Sequence, residues 1–286
     1  MADVQPLKAL RYNLEKTGGL QPVVSPPYDV IDAQMRAALE AQSPYNVVAI
    51  DMPIAPPGED IYAHAAGLLS RWREAKAIVG DAQPAIWPLT QDYVGPDGRQ
   101  RRRRGFLARV RIEDYGPGRI RPHERTHPGP KEDRLRLTRA TRINVSPIFS
   151  LYPDPQQLAW QALEPATRER PWAETVDSDG TVSRLWRVCN AEAIAAVQAA
   201  TAEAELLIAD GHHRYETART YAAEIGGDGP HRYVLMCLVA LEDPGLTVFP
   251  THRLVRHLTD AQWDALRRAV ETDFTMTPLD SLEQLP

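Results

Sequence analysis

The stretch ELLIADGHHRYETA (205–218) constrains the fold more than any other part of the chain. Its first half is an apolar run of strand length, and its second half has the composition of a helix. Only Asp210 and Gly211 separate the two, and Gly211 permits the tight turn this requires. The chain therefore holds at least one buried strand that runs directly into a helix.

Other segments supply more of both elements. Helices are expected over AQMRAALEAQS behind an Asp32 N-cap, DIYAHAAGLLSRWREAKAIV (60–79), KEDRLRLTRATR, NAEAIAAVQAATAEA and TDAQWDALRRAVET. Strands are expected at YNVVAIDM (45–52), SPIFSLY and RYVLMCLVALED, TVFPTHRLV is a strand or extended segment, and SPPYDVID (25–32) reads as a Pro-fixed extended segment. Two hairpins are expected, AIWPLTQDYV with RGFLARVRIEDY around GPDG, and WAETVDSDGTVSRLWRV around DSDG. Strands and helices mix without a strict βαβα rhythm, which argues an α+β fold of mixed sheets with flanking helices.

With 286 residues the chain can bury a sizeable core. It is expected to form a single α+β unit over 1–286, divisible into an N-terminal lobe at 1–115 and a second lobe at 116–286. It stops in SLEQLP soon after a helix, as a fragment of a longer protein would. No apolar run approaches the roughly 20 residues of a membrane-spanning helix, so no membrane partner is expected. The N-terminus lacks the apolar core of a signal peptide, and a cytoplasmic location is the default. The two cysteines sit in apolar surroundings, RLWRVCN and VLMCLV, and read as packing residues.

The net charge of −5 conceals an asymmetry. Residues 99–142 hold 15 Lys/Arg and 5 Asp/Glu, a balance of +10 that leaves −15 elsewhere. Such a stretch attracts anions, while the acidic remainder repels long polyanions. A small phosphorylated ligand is therefore expected rather than nucleic acid. RQRRRR (99–104) can also be read as a solvated strand end.

Inside RPHERTHPGP (121–130), His123, Glu124 and His127 spell H-E-x-x-H, the zinc-protease pattern. That chemistry needs a helix, so that both histidines reach one metal from one face. Pro122 before the pattern and Pro128-Gly129-Pro130 after it oppose such a helix, and 116–130 holds three glycines and four prolines. An extended basic loop fits better. It bears Arg121, His123, Arg125, His127 and Lys131, with Arg134 closing the stretch, and such cations donate to phosphate oxygens. Glu124 is its acidic exception, a candidate base or Mg²⁺ ligand, or else a salt-bridge partner.

The turn Asp210-Gly211-His212-His213-Arg214 is the other half of a proposed anion site. Backbone N–H groups and the positive helix end face an anion there. Arg214 in the first turn opposes the dipole unless partnered, so a bound phosphate would explain its placement. Asp210 is a candidate helix cap, metal ligand or histidine partner. His252 and Arg253 in PTHRLV add possible donors, and Asp29 in SPPYDV is a candidate base. His123, His127, His212, His213 and His252 also leave room for a metal cluster without a zincin helix.

Together, SPPYDVI, YNVVAID, RPHERTHPGPKEDRLRLTRATRINVSPIFSLY, IADGHHRYETA and LEDPGLTVFPTHRLV resemble DUF 1015, a bacterial and archaeal family of unknown function. The matches run from Pro26 to Val255, and the resemblance implies a protein that continues further at its C-terminus. IADGHHRYETA also resembles the strand–turn–helix phosphate site of the ParB/sulfiredoxin superfamily, which implies phosphate contacts at Gly211, His212, His213 and Arg214. Sulfiredoxins carry a cysteine where this chain has His212, so their reductase chemistry is not implied. The D-G-H-H-R form is most similar to the free serine kinases of that superfamily.

The expected function is a phosphate- or nucleotide-binding enzyme that transfers a phosphoryl group to a small hydroxylated metabolite such as serine. Asp29, Glu124 and His212 are its catalytic candidates. ATP, ADP or pyrophosphate would be the donor, assisted by Mg²⁺ on Glu124 and Asp210. Two alternatives stand beside it: a non-catalytic nucleotide-binding regulator of ParB-like type, and a metal-dependent hydrolase built on HERTH.

Overall fold

The computed structural model describes residues 2–126, 128–248, 254–281 and 284. Two compact units are present, 1–246 and 247–286. The first begins with strands β1 (Val4–Gln5) and β2 (Leu10–Tyr12), followed by helices α1 (Leu14–Thr17), α2 (Ala33–Gln42), α3 (Val48–Asp51) and α4 (Ile61–Glu74). Strands β3 (Ile78–Gly80), β4 (Trp87–Val94), β5 (Gln100–Arg111) and β6 (Ile120–Arg121) come next. Helix α5 (Pro128–Thr141), strand β7 (Ile148–Tyr152), helix α6 (Leu158–Leu163), strands β8 (Ala173–Val176) and β9 (Val182–Leu185) and helix α7 (Ala191–Thr201) follow. Strand β10 (Leu206–Asp210), helix α8 (His212–Ile225) and strand β11 (Tyr233–Ala240) complete the unit. The second unit contains helix α9 (Asp260–Asp273), started by a capping box between Thr259 and Gln262.

Nine strands among the described residues form one mixed sheet, ordered β6-β10-β7-β11-β5-β4-β9-β8, with β1 on the edge of β5. β4–β5 and β8–β9 are the two expected antiparallel hairpins. The parallel pairs are β6 with β10 and β7 with β11. The class is thus α+β, as the element pattern implies. Strands from before residue 115 and after it share this one sheet.

Alternation builds the core. Phe106, Ala108 and Val110 on β5 join Ile148, Ile208, Met236 and Leu238 in the main cluster, with Leu163, Val197, Tyr215 and Ala218 from the helices. Leu151, Cys237 and Val239 fall in a separate, smaller cluster. Burial pushes the Cys237 thiol up to about 11, so it packs rather than reacts. Cys189 and Cys237 are both free thiols.

Three expectations about local structure are corrected. YNVVAIDM is a turn and the short helix α3, not a strand. Asn46 decides this: its side chain accepts from Val48 N–H and donates to the Pro22 and Val24 carbonyls, which curls the chain before the apolar run. SPPYDVID is interrupted by a 3₁₀ turn at Tyr28–Val30. The Pro-Gly-Pro segment is not loop but the first turn of α5, where a missing proline N–H costs no helical bond. Lys131 and Arg134 are therefore helical residues. TVFPTHRLV falls partly outside the described residues, as do His127, His252 and Arg253. No helix among the described residues is long and apolar enough to cross a membrane.

Candidate functional site

The basic stretch is largely neutralised from within the protein. Arg102 grips Asp92 with two hydrogen bonds, and Arg103 reaches Gln91 across the β4–β5 ladder. Arg104 pairs with Asp243 at 2.7 Å, Arg139 with Glu224 at 2.6 Å and Arg121 with Glu205 at 3.0 Å. The acidic remainder of the chain thus supplies the partners, which a charge count along the sequence does not show. Arg121 is held at the start of β10, next to Leu207, and takes no part in a site at the strand's other end. The Arg125 and Lys131 side chains have no hydrogen-bond or ion-pair partner among the described residues.

At the far end of β10 the pairing with β7 shifts register between Ile208 and Asp210, which bends the strand just before the turn. Gly211 is the N-cap of α8, left-handed at φ +97°. Gly211 has no side chain with which to cap this helix; the first closing bond runs from Tyr215 N–H to Gly211 C=O. The positive end of the dipole and the amides of the first turn lie at this glycine turn. A Cβ at position 211 would meet the Arg214 guanidinium at 3.0 Å as well as the unfavourable φ. Gly211→Ala is therefore expected to destabilise the protein by about 1–2 kcal/mol, read as a lower melting temperature.

Asp210 does not cap α8. Its carboxylate pairs with Arg214, whose guanidinium also donates to the Pro147 carbonyl. The position of Arg214 thus needs no bound phosphate to explain it. Arg134 is likewise satisfied internally, donating to Asp51 at 2.8 Å and to Asp133 at 2.6 Å with its guanidinium 4.4 Å above the Tyr28 ring. Arg134 and Asp51 are 8% and 5% exposed. Burial pushes the Asp51 carboxyl up, and Arg134 beside it pulls it back only in part. A cavity of about 50 Å³ opens here, lined by Tyr28, Asp51, Arg134, Ser146 and Arg214 among others. It has room for a few waters and none for a nucleotide. Tyr28 and Asp51 come from SPPYDVI and YNVVAID, so this ion-pair cluster is what draws those distant segments together. Nothing in the sequence singles out Asp51 beyond its place at the end of an apolar run. Asp29 is exposed on the Tyr28 turn.

The remaining candidates converge at the start of α8. His212 is buried, with its side chain 1% exposed, and its Nδ1 lies 3.0 Å from Glu124 Oε1. Its Nε2 accepts from His123 N–H at 3.2 Å, so Nδ1 carries the ring proton and donates it to the Glu124 carboxylate. Burial pushes the His212 imidazole below its ordinary range, with Glu124 pulling the other way. The Glu124 side chain is 50% exposed, so it faces both His212 and solvent. The His123 ring meets the His212 ring edge-on at 4.4 Å, and its Nδ1 is 2.9 Å from the Ile208 carbonyl. His213 occupies the first turn of α8, half-buried. His123 and Glu124 are in bends, not a helix, so a zincin helix is not formed there.

Glu124 groups with two imidazoles rather than with Asp210 as a candidate cation site. Mg²⁺ favours all-oxygen octahedra, so this donor set does not fit it. The fold and site define a mixed-sheet α+β protein with a carboxylate–imidazole pair at the N-terminus of α8. The chain belongs to the family described as protein of unknown function (DUF1015), whose profile matches residues 4–284. No curated protein and no solved structure matches it.

Proposed function

We propose that this protein is a phosphotransferase that binds a nucleotide or pyrophosphate at the N-terminus of α8 and moves a phosphoryl group to a small hydroxylated metabolite such as serine. One observation carries the reading: the Glu124 carboxylate sits 3.0 Å from His212 Nδ1, at the first turn of α8, whose N-cap is Gly211. A phosphate held by first-turn amides lies within the dipole's range. The Arg125 and Lys131 side chains, unpaired among the described residues, supply cations to neutralise it. Glu124 is fixed on one side by His212 and open to solvent on the other, as a base for an acceptor hydroxyl must be. The likeness of the D-G-H-H-R turn to free serine kinases also supports it. Any Mg²⁺ would arrive on the donor's own phosphates, since Glu124 and Asp210 do not form a site for it.

The reading predicts a thermal shift. A donor present at about 100 times its Kd stabilises by about 2.7 kcal/mol, or roughly 5–10 °C for a chain of this size. ATP, ADP and pyrophosphate are each tested with Mg²⁺, and Arg125→Glu is expected to shrink the effective donor's shift. If none of the three moves the melting temperature, the phosphate site is wrong.

A further inference from the structure

The Glu124–His212 pair has a third member. One donor atom each from His123, Glu124 and His212 lies within 4.8 Å of the other two, and no other such group of three occurs among the described residues. The members come from two segments 89 positions apart, joined by the His123 N–H to His212 Nε2 contact. We propose that they form a site for one divalent transition-metal ion of the zinc class. The site is composite and differs from the helical H-E-x-x-H motif, because it uses His212 and does not need His127.

Two imidazole nitrogens and a carboxylate oxygen suit borderline ions such as Zn²⁺, Co²⁺ or Fe²⁺. Metal–ligand bonds of about 2.0–2.1 Å place tetrahedral ligand atoms about 3.3 Å apart. His212 Nδ1 and Glu124 Oε1, at 3.0 Å, are already near that spacing. The widest separation in the group needs only a rotation of His123 or Glu124, both exposed, while buried His212 stays fixed. A supporting contact is also in place. His123 Nδ1 is 2.9 Å from the Ile208 carbonyl, and donating there orients the ring and leaves Nε2 as the ligand atom.

In the metal-free protein, His212 Nδ1–H donates to Glu124. The ion takes the place of that proton, which moves to Nε2, and the His123 amide turns away from it. Residues 122–126, which include the Pro122–His123 peptide, lie in no helix or strand and permit that turn. Three protein ligands leave a position for water or for a substrate hydroxyl, whose proton the ion makes easier to remove. The inference rests on the proposed function only for that hydroxyl. With the ion bound, Glu124 holds it through one carboxylate oxygen, and its other oxygen takes the proton of the coordinated hydroxyl.

The test uses the untagged full chain, stripped with chelator and titrated with Co²⁺ and Zn²⁺. One equivalent of metal by elemental analysis, with the visible absorption of four-coordinate Co²⁺, is the expected result. His123→Ala and Glu124→Gln should each weaken Zn²⁺ binding at least tenfold. Both alter exposed side chains, and matching circular dichroism melts confirm that they fold. His64→Ala, at a surface His64–Glu59 pair, should change nothing. Substoichiometric metal, or binding that both site variants leave unaltered, overturns the proposal. Metal binding without any phosphate-induced shift keeps this site and sinks phosphoryl transfer; a phosphate shift without stoichiometric metal does the reverse.

Discussion

Arg134→Met is expected to destabilise the protein by about 3–5 kcal/mol, because it leaves a buried carboxylate without its counter-ion. At this chain length that lowers Tm by roughly 6–20 °C. Asp51 is only 5% exposed, and its carboxyl is already pushed up by burial with Arg134 present. Arg134 also donates to the Asp51 backbone carbonyl and covers the Tyr28 ring, so the variant loses a hydrogen bond and a cation–π contact. The double variant Asp51→Leu/Arg134→Met should recover much of the loss, since replacing both partners removes the unpaired charge. Denaturation of the two variants and wild type checks this. A single variant as stable as wild type would mean that the pair does not join the SPPYDVI and YNVVAID segments to α5.

The second large effect is on turnover. Glu124→Gln keeps the shape of the side chain and an acceptor for His212 Nδ1–H, and removes only the basic oxygen. In the proposed phosphotransferase it should lower kcat by about 10²–10⁴, with donor affinity unchanged or slightly improved as a negative charge leaves the phosphate's surroundings. Paired kcat and Kd measurements separate this from a structural role, which would weaken both. Equal losses in kcat and affinity would make Glu124 a scaffold for His212.

Much of the fold was legible because its elements carry local signals. The alternation in FLARVRI, the GPDG and DSDG turns, the Asp32 cap and the strand-to-helix switch at Gly211 all act within a few residues. YNVVAIDM misleads because a short apolar run has no period, and Asn46 curls it through bonds to residues more than twenty positions away. The basic stretch misleads for a similar reason. Asp243, Glu205, Asp51 and Glu224, which partner Arg104, Arg121, Arg134 and Arg139, lie between 83 and 139 positions from them, so much of the neutralisation is invisible in a local count. Prolines around HERTH oppose a zincin helix, and His123 and Glu124 are indeed non-helical. The same prolines also start α5, which a reading of proline as a breaker misses. The two halves of the candidate site, HE at 123–124 and DGHHR at 210–214, can be picked out one by one. Their contact through His212 Nδ1 is a product of the β6–β10 pairing and appears only in three dimensions.

The central claim is that the start of α8 handles phosphate in a group transfer. Phosphorus NMR of the full chain with ATP, ADP or pyrophosphate, Mg²⁺ and a panel of small hydroxylated acceptors including serine tests it most directly. Donor consumption and a new phosphoester signal are expected, both requiring an acceptor and both nearly absent in Glu124→Gln. Donor bound but never consumed, or consumed equally by wild type and Glu124→Gln, would contradict it.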